Sequence, residues 1–214
     1  MHLTVLGATG RTGVPIVQQA LTRGHDVTAL VRSPTKAGEL LPVSEDRLRL
    51  VTGDLLDGED VKAAIIGADA VINVAGQVKG APEDLQQRAI RHVIAAMHAA
   101  DVRRLVTLTG AGVRMPGDQP KIADRVIGGA LKLLQPKLLA DSVAYVDEVR
   151  ASDLDWTVVR APRLTDGDAR GSYRVAPNVG GDSSTQISRS DLATAILELV
   201  EDDSFVGRAP VVTW

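Results

Sequence analysis

Residues 7–13 read GATGRTG, which sets Gly7, Gly10 and Gly13 three positions apart. Glycines at this spacing suit a turn that offers bare backbone N–H groups to an anion. Gly7 permits a tight turn, since it tolerates positive φ. Gly10 puts no Cβ between the backbone and an approaching phosphate, and Gly13 lets the next element pack closely. Thr9, Arg11 and Thr12 add side-chain donors along the same edge. The chemistry implied is capture of a phosphate or diphosphate. A glycine loop without a ligand has the same composition, so the flanking elements must decide.

Those elements favour an anion site. "HLTVL" at 2–6 reads as a buried strand, and 12–22 follows as a helix with Val14, Val17, Ala20 and Leu21 on one face. A glycine triplet between a strand and a helix is the context of dinucleotide binding, with the helix N-terminus facing the diphosphate. Further strands are expected at 26–31, 47–51, 69–75, 102–109 and 155–160. Helices are expected at 58–66, capped by Asp57 with Asp60, and at 83–100. A helical pattern over 120–150 is interrupted by Pro136, and a last helix at 189–201 has Ser188 and Asp191 as its capping pair. A weak strand is expected around Tyr173–Val175, and "APVVT" as a final edge strand. This alternation predicts an α/β fold, a single Rossmann-like doubly wound parallel sheet with helices on both faces. Residues 1–214 read as one domain. Its cofactor-binding core is 1–160, and 161–214 forms a small substrate-side segment.

The end of the second strand chooses between two nicotinamide cofactors. An acid there accepts from the ribose hydroxyls, whereas a base pairs with a 2′-phosphate. The chain offers "VRSPTK", with Arg32, Ser33 and Lys36, and no acid between Ala29 and Gly38. An arginine fork suits a phosphate, so NADP(H) is expected over NAD(H). In "GDLLD", Asp54 either holds the adenine amino group, with Leu55 against the ring, or simply makes a turn. Ala75 and Gly76 are small enough to lie under the cofactor, and Thr109 and Gly110 end the fifth strand on the same edge.

Composition excludes other classes. Net charge is −3 and aromatic residues are 2% of the chain, which gives nucleic acid neither a basic stripe nor a stacking surface. Without cysteine there is no disulfide and no thiolate chemistry. The four histidines lack ligand-like spacing, so no metal site is expected. No apolar run reaches the roughly 18 residues that span a bilayer. The first strand begins at His2, leaving no room for a cleavable leader, and a cytoplasmic monomer or homodimer is expected.

Five segments, "VLGATGRTG", "TALVRSP", "GDLLD", "VINVAG" and "LDWTVVRAPRLTDG", together resemble the atypical short-chain dehydrogenase/reductase group. Within it the chain is similar to the NmrA-like and biliverdin-reductase-B (flavin-reductase)-like branch, which "ISRSDLATAILELVED" also matches. The resemblance implies NADP(H) binding and reduction of flavins or quinone-like acceptors. The departures are informative. The wider superfamily's Tyr-x-x-x-Lys pair is missing, because Val149 stands four residues after Tyr145. Gly110 stands where the superfamily's serine is expected, and Arg163 where flavin-reductase relatives carry a histidine.

A carbonyl or alcohol substrate needs a group to move its hydroxyl proton. A flavin or quinone needs mainly to be held against the nicotinamide, since the anion formed is delocalised. The expected function is therefore an NADPH-dependent oxidoreductase acting on a small conjugated acceptor. Arg163 is the first candidate to steady developing charge, Thr109 a possible donor and Lys137 a weaker one. The alternative is a non-catalytic NADP(H) sensor of the NmrA type. A sugar-nucleotide epimerase or dehydratase is a third reading, disfavoured by the missing Tyr/Lys pair.

Overall fold

The computed structural model describes residues 1–78, 80–121, 129, 133–180 and 184–214. Parts of two expectations lie outside them: residues 122–128 and 130–132 of the helical pattern over 120–150, and residues 181–183 of the substrate-side segment 161–214.

Strands β1 (His2–Leu6), β2 (Asp26–Val31), β3 (Leu48–Thr52), β4 (Ala70–Asn73), β5 (Arg104–Gly110) and β6 (Asp155–Ala161) line up in the order 3-2-1-4-5-6. Every pairing among them is parallel. Parallel neighbours need crossover helices on both faces, so successive side chains along a strand are buried on opposite sides. In β4, Ile72 joins one core and Val71 the other. The first core lies under α1 (Gly13–Thr22), α2 (Pro34–Leu40) and α6 (Arg189–Glu201). The second lies under α3 (Gly58–Ile65), α4 (Leu85–Ala99) and α5 (Pro136–Ala151).

The expected helix starts hold in physical detail. The Asp57 carboxylate accepts from the amides of Glu59 and Asp60, and the Ser188 hydroxyl accepts from the amide of Asp191. The break expected at Pro136 is present: Leu133 and Leu134 are helical, Gln135 is not, and Pro136 occupies the first turn of α5, where its missing N–H costs nothing. Two expectations need correction. "APVVT" does not form the sheet edge. Its strand, β10 (Val211–Thr213), pairs parallel with β6, and β8 (Arg174–Ala176) adds antiparallel outside it. The segment after β6 also contains a small parallel pair, β7 (Arg163–Thr165) with β9 (Gln186–Ser188). Three-residue strands are too short for alternation to reveal them.

The chain reverses its winding between β1 and β4. In doubly wound sheets the crevice outside the carboxyl ends of the strands at such a point holds the ligand. The glycine turn sits there.

Candidate functional site

Gly7 leaves β1 with φ of 84°. A Cβ on it would lie 2.7 Å from the amide nitrogen of Ala75, so the ends of β1 and β4 meet too closely for any larger residue. The Gly10 amide donates to the Gly7 carbonyl at 2.9 Å, which closes the turn. At Gly13 a Cβ would fall 2.1 Å from that same carbonyl, so this glycine is what lets α1 begin directly against the turn. The three side-chain donors diverge. Thr9 lines the crevice. Thr12 is buried and caps no first-turn amide. Arg11 is exposed and pairs with Asp166 just past β7. Asp166 also pairs with Arg189 at the start of α6, at 2.5 Å.

From the turn, a cavity of about 390 Å³ runs toward the end of β2, with Gly7, Gly10, Arg32, Lys36, Asp54, Leu55, Ala75 and Gly76 in its wall. Arg32 and Lys36 are exposed, and no acid pairs with either among the described residues. Ser33 is outside the wall; its hydroxyl accepts from the Lys36 amide at 3.3 Å and caps α2. Asp54 does make a turn, since its carboxylate accepts from the Leu56 amide at 2.9 Å. Its own amide donates to Asp60, whose carboxylate lies where a Cβ on Gly53 would sit. Gly53 was not singled out in the sequence, although "TGD" at a strand end is a turn signal.

A second cavity, about 360 Å³, adjoins the first along Val74, Ala75 and Gly76. Its other walls are mainly apolar: Leu108, Val113, Leu138, Leu139, Pro162 and Leu164. Thr109, Gly110, Gln77, Gln86 and Ser142 supply the polar lining. Among the described residues, none in this wall carries an ionisable side chain. Arg163 is exposed and lies off the wall, although Pro162 and Leu164 on either side belong to it. Alternation along extended chain points the middle residue the other way. Lys137 is likewise exposed, held by Glu83 at 2.6 Å. Tyr145 is sealed inside: its hydroxyl accepts from the Asn73 side chain at 3.3 Å, and burial pushes the phenol well above its ordinary range.

The residues fit a dinucleotide. The glycine turn leaves room only for bare backbone; among the described residues, two unpaired cations mark one end, and two buried polar atoms without partners, Thr109 Oγ1 and Gln77 Oε1, mark the other. Buried polar atoms are almost always paired in native proteins, so orphans in a cavity wall point to a ligand.

Two supports of this site escaped the sequence reading. Arg160 in β6 is fully buried, with its guanidinium on both oxygens of Asp118 at 2.6 and 3.0 Å. Burial drives the Asp118 carboxyl up, but Arg160 and the amides of Met115 and Val179 outweigh it, and the net shift is down. Asp141 in α5 accepts from the amides of Gln86 and Gln87, at 3.0 Å each, and so caps α4 from another helix. A charge inside a buried strand pattern was the available signal for Arg160; Asp141 had none.

A strand–glycine turn–helix at the switch point, with a groove passing over small strand-end residues, defines a nicotinamide-dinucleotide-binding Rossmann protein. The chain belongs to the NAD(P)H-binding family, whose model matches residues 7–203, the atypical short-chain dehydrogenase/reductase group its motifs resemble. It is 30% identical over 210 residues to the uncharacterised protein YwnB of Bacillus subtilis, covering 94% of this chain and 92% of that one. Cinnamoyl-CoA reductase 1 of Petunia hybrida is 36% identical over 115 residues, half of this chain and 34% of the reductase. A short-chain dehydrogenase/reductase of Veillonella parvula, solved with NADP, superposes with a TM-score of 0.84 over the whole chain and 94% of its own, at 18% identity, a likeness of fold. Among the described residues no helix is long and apolar enough to cross a membrane.

Proposed function

We propose that the protein is an NADPH-dependent oxidoreductase that reduces a flavin, a quinone or a similar small conjugated acceptor. The observation that carries this reading is the second cavity: it adjoins the dinucleotide groove and has no ionisable side chain in its described wall. A wall of this kind cannot deliver a proton to an alkoxide, but it can hold a flat apolar acceptor. The cofactor would supply a hydride, and solvent would supply the proton that completes the two-electron reduction of the acceptor. The glycine turn holds the diphosphate. Arg32 and Lys36 favour the 2′-phosphate and so NADPH over NADH. Leu108, Val113 and Leu164 exclude water from the acceptor face, which keeps the hydride from competing reactions. Thr109, the hydroxyl in that wall, keeps its expected role as hydrogen-bond donor, and the charge-steadying role expected of Arg163 is left out, because Arg163 is exposed and lies off the wall.

The test is to mix the purified protein with NADPH and with FMN, riboflavin or a quinone dye, and to follow absorbance at the nicotinamide band. Saturable oxidation is expected with at least one acceptor. Tight NADPH binding without turnover across the panel would instead support the sensor reading, which the same uncharged wall also suits.

A further inference from the structure

The structure holds the Gln77 side-chain amide in one orientation. Its Nε2 donates to the Pro82 carbonyl at 2.7 Å and lies 3.5 Å from the Ala81 carbonyl. Rotating the amide by half a turn would set its oxygen against those two oxygens, so the assignment of donor and acceptor ends is fixed. The Oε1 end is therefore an acceptor. It is buried, and like Thr109 Oγ1 it has no partner among the described residues. Both residues line the acceptor cavity. They come to one wall because β4 and β5 are parallel neighbours, with Asn73 beside Thr107 and the two chains running on to Gln77 and Thr109. Thr109 is only 6% exposed, so its hydroxyl has no ready access to bulk water.

We propose that Gln77, with Thr109, recognises an amide edge: a ligand N–H that donates to Gln77 Oε1 beside a carbonyl that accepts from the Thr109 hydroxyl. The inference rests on the NADPH-oxidoreductase reading for the identity of the groove. Two groups could bring that edge: the carboxamide of the nicotinamide, or the ring N–H and C=O of the acceptor. A quinone carries carbonyls only and would leave Gln77 Oε1 unpaired, so in the second case Gln77 also sets the choice between acceptors. Sites built to pair a substrate N–H discriminate strongly against analogues lacking it, because the protein atom is then stranded.

Two binding arms separate the sources, and neither needs turnover. In the first, the protein is titrated calorimetrically with NADP⁺ and with its 3-acetylpyridine analogue, which lacks the carboxamide N–H. In the second, the NADP⁺-loaded protein is titrated with lumiflavin and with N3-methyl-lumiflavin, followed by flavin fluorescence. We expect about tenfold weaker binding of the N–H-deficient partner in one arm. Gln77→Leu should bring that ratio to near one, and Thr109→Val should weaken both members of the pair while leaving the ratio in place. Each ratio compares two ligands on the same protein, so a loss of folded protein does not move it. Ratios within twofold of one in both arms, no binding of either flavin together with an undiscriminated first arm, or discrimination that survives Gln77→Leu would overturn the inference. Absence of NADPH oxidation in the turnover assay would instead count against the oxidoreductase reading and leave the first arm decisive.

Discussion

Arg32 and Arg160 stand at comparable places in the sheet and do opposite things. Arg32 directly follows β2, is exposed and is unpaired among the described residues. Arg160, the penultimate residue of β6, is fully buried and uses every guanidinium donor. Its Nε donates to Ala209 at 2.7 Å, and its two terminal nitrogens reach Asp118, Val113 and Pro177. Asp118 in turn accepts from the amides of Met115 and Val179, both at 2.8 Å. The pair thus ties the loop after β5 and the loop after β8 to the sheet, and Val113 in the first of these walls the acceptor cavity. A strand-end arginine is a ligand group where the chain leaves it free, and a staple where the chain surrounds it with carbonyls and a carboxylate. Its partners in space set the role.

The sharpest way to break the comparison is to truncate both arginines. Arg160→Leu strands the Asp118 carboxylate in the interior and should cost about 3–5 kcal/mol of stability, read by urea unfolding. Adding Asp118→Leu should recover most of the loss, since no buried charge then remains. A loss under about 1 kcal/mol in the single variant would mean that the pair is not the staple described. The same pair predicts a pH dependence. The folded carboxyl of Asp118 is depressed, so its contribution is fully present above the unfolded value near pH ~4 and is lost as pH falls through the lower folded value. Wild type should therefore lose stability on acidification more steeply than Asp118→Asn. Arg32→Glu should leave stability unchanged and instead weaken NADPH binding roughly 30-fold while sparing NADH. Equal losses for the two cofactors would remove the phosphate clamp.

The contrast also shows what a linear chain reveals. The glycine turn and the caps at Asp57 and Ser188 were legible, because each depends on residues within a few positions of one another; the doubly wound order followed from the alternation of strands and helices. The core was legible because burial on both faces leaves continuous apolar runs. What stayed hidden depends on distant partners. Asp118 and Arg160 are 42 positions apart, Arg11 meets Asp166 across 155, and Gln77 is held by the carbonyls of a loop with no apolar period. Arg163 was placed by its position in a motif, and the alternation of a three-residue strand turned it away from the cavity.

The smallest effect isolates that lesson within one helix. Asp84 occupies the N-cap position of α4, the site where local sequence rules put a capping carboxylate, yet it makes no side-chain bond to the first turn. Its nearest charge is Arg88 at 3.8 Å. The cap comes from Asp141, 55 residues beyond Gln86, which is buried and also accepts from the Gln86 side chain at 3.2 Å. Asp141→Ala should therefore cost about 1–2 kcal/mol, in the range of a lost helix cap. Asp84→Ala should cost less than about 0.5 kcal/mol, as for a surface position. Because Gln86 and Ser142 beside this cap also line the acceptor cavity, Asp141→Ala should weaken acceptor binding in addition, and Asp84→Ala should not. Equal thermal shifts for the two variants would return the cap to the local residue and erase the distinction between position in sequence and partner in space.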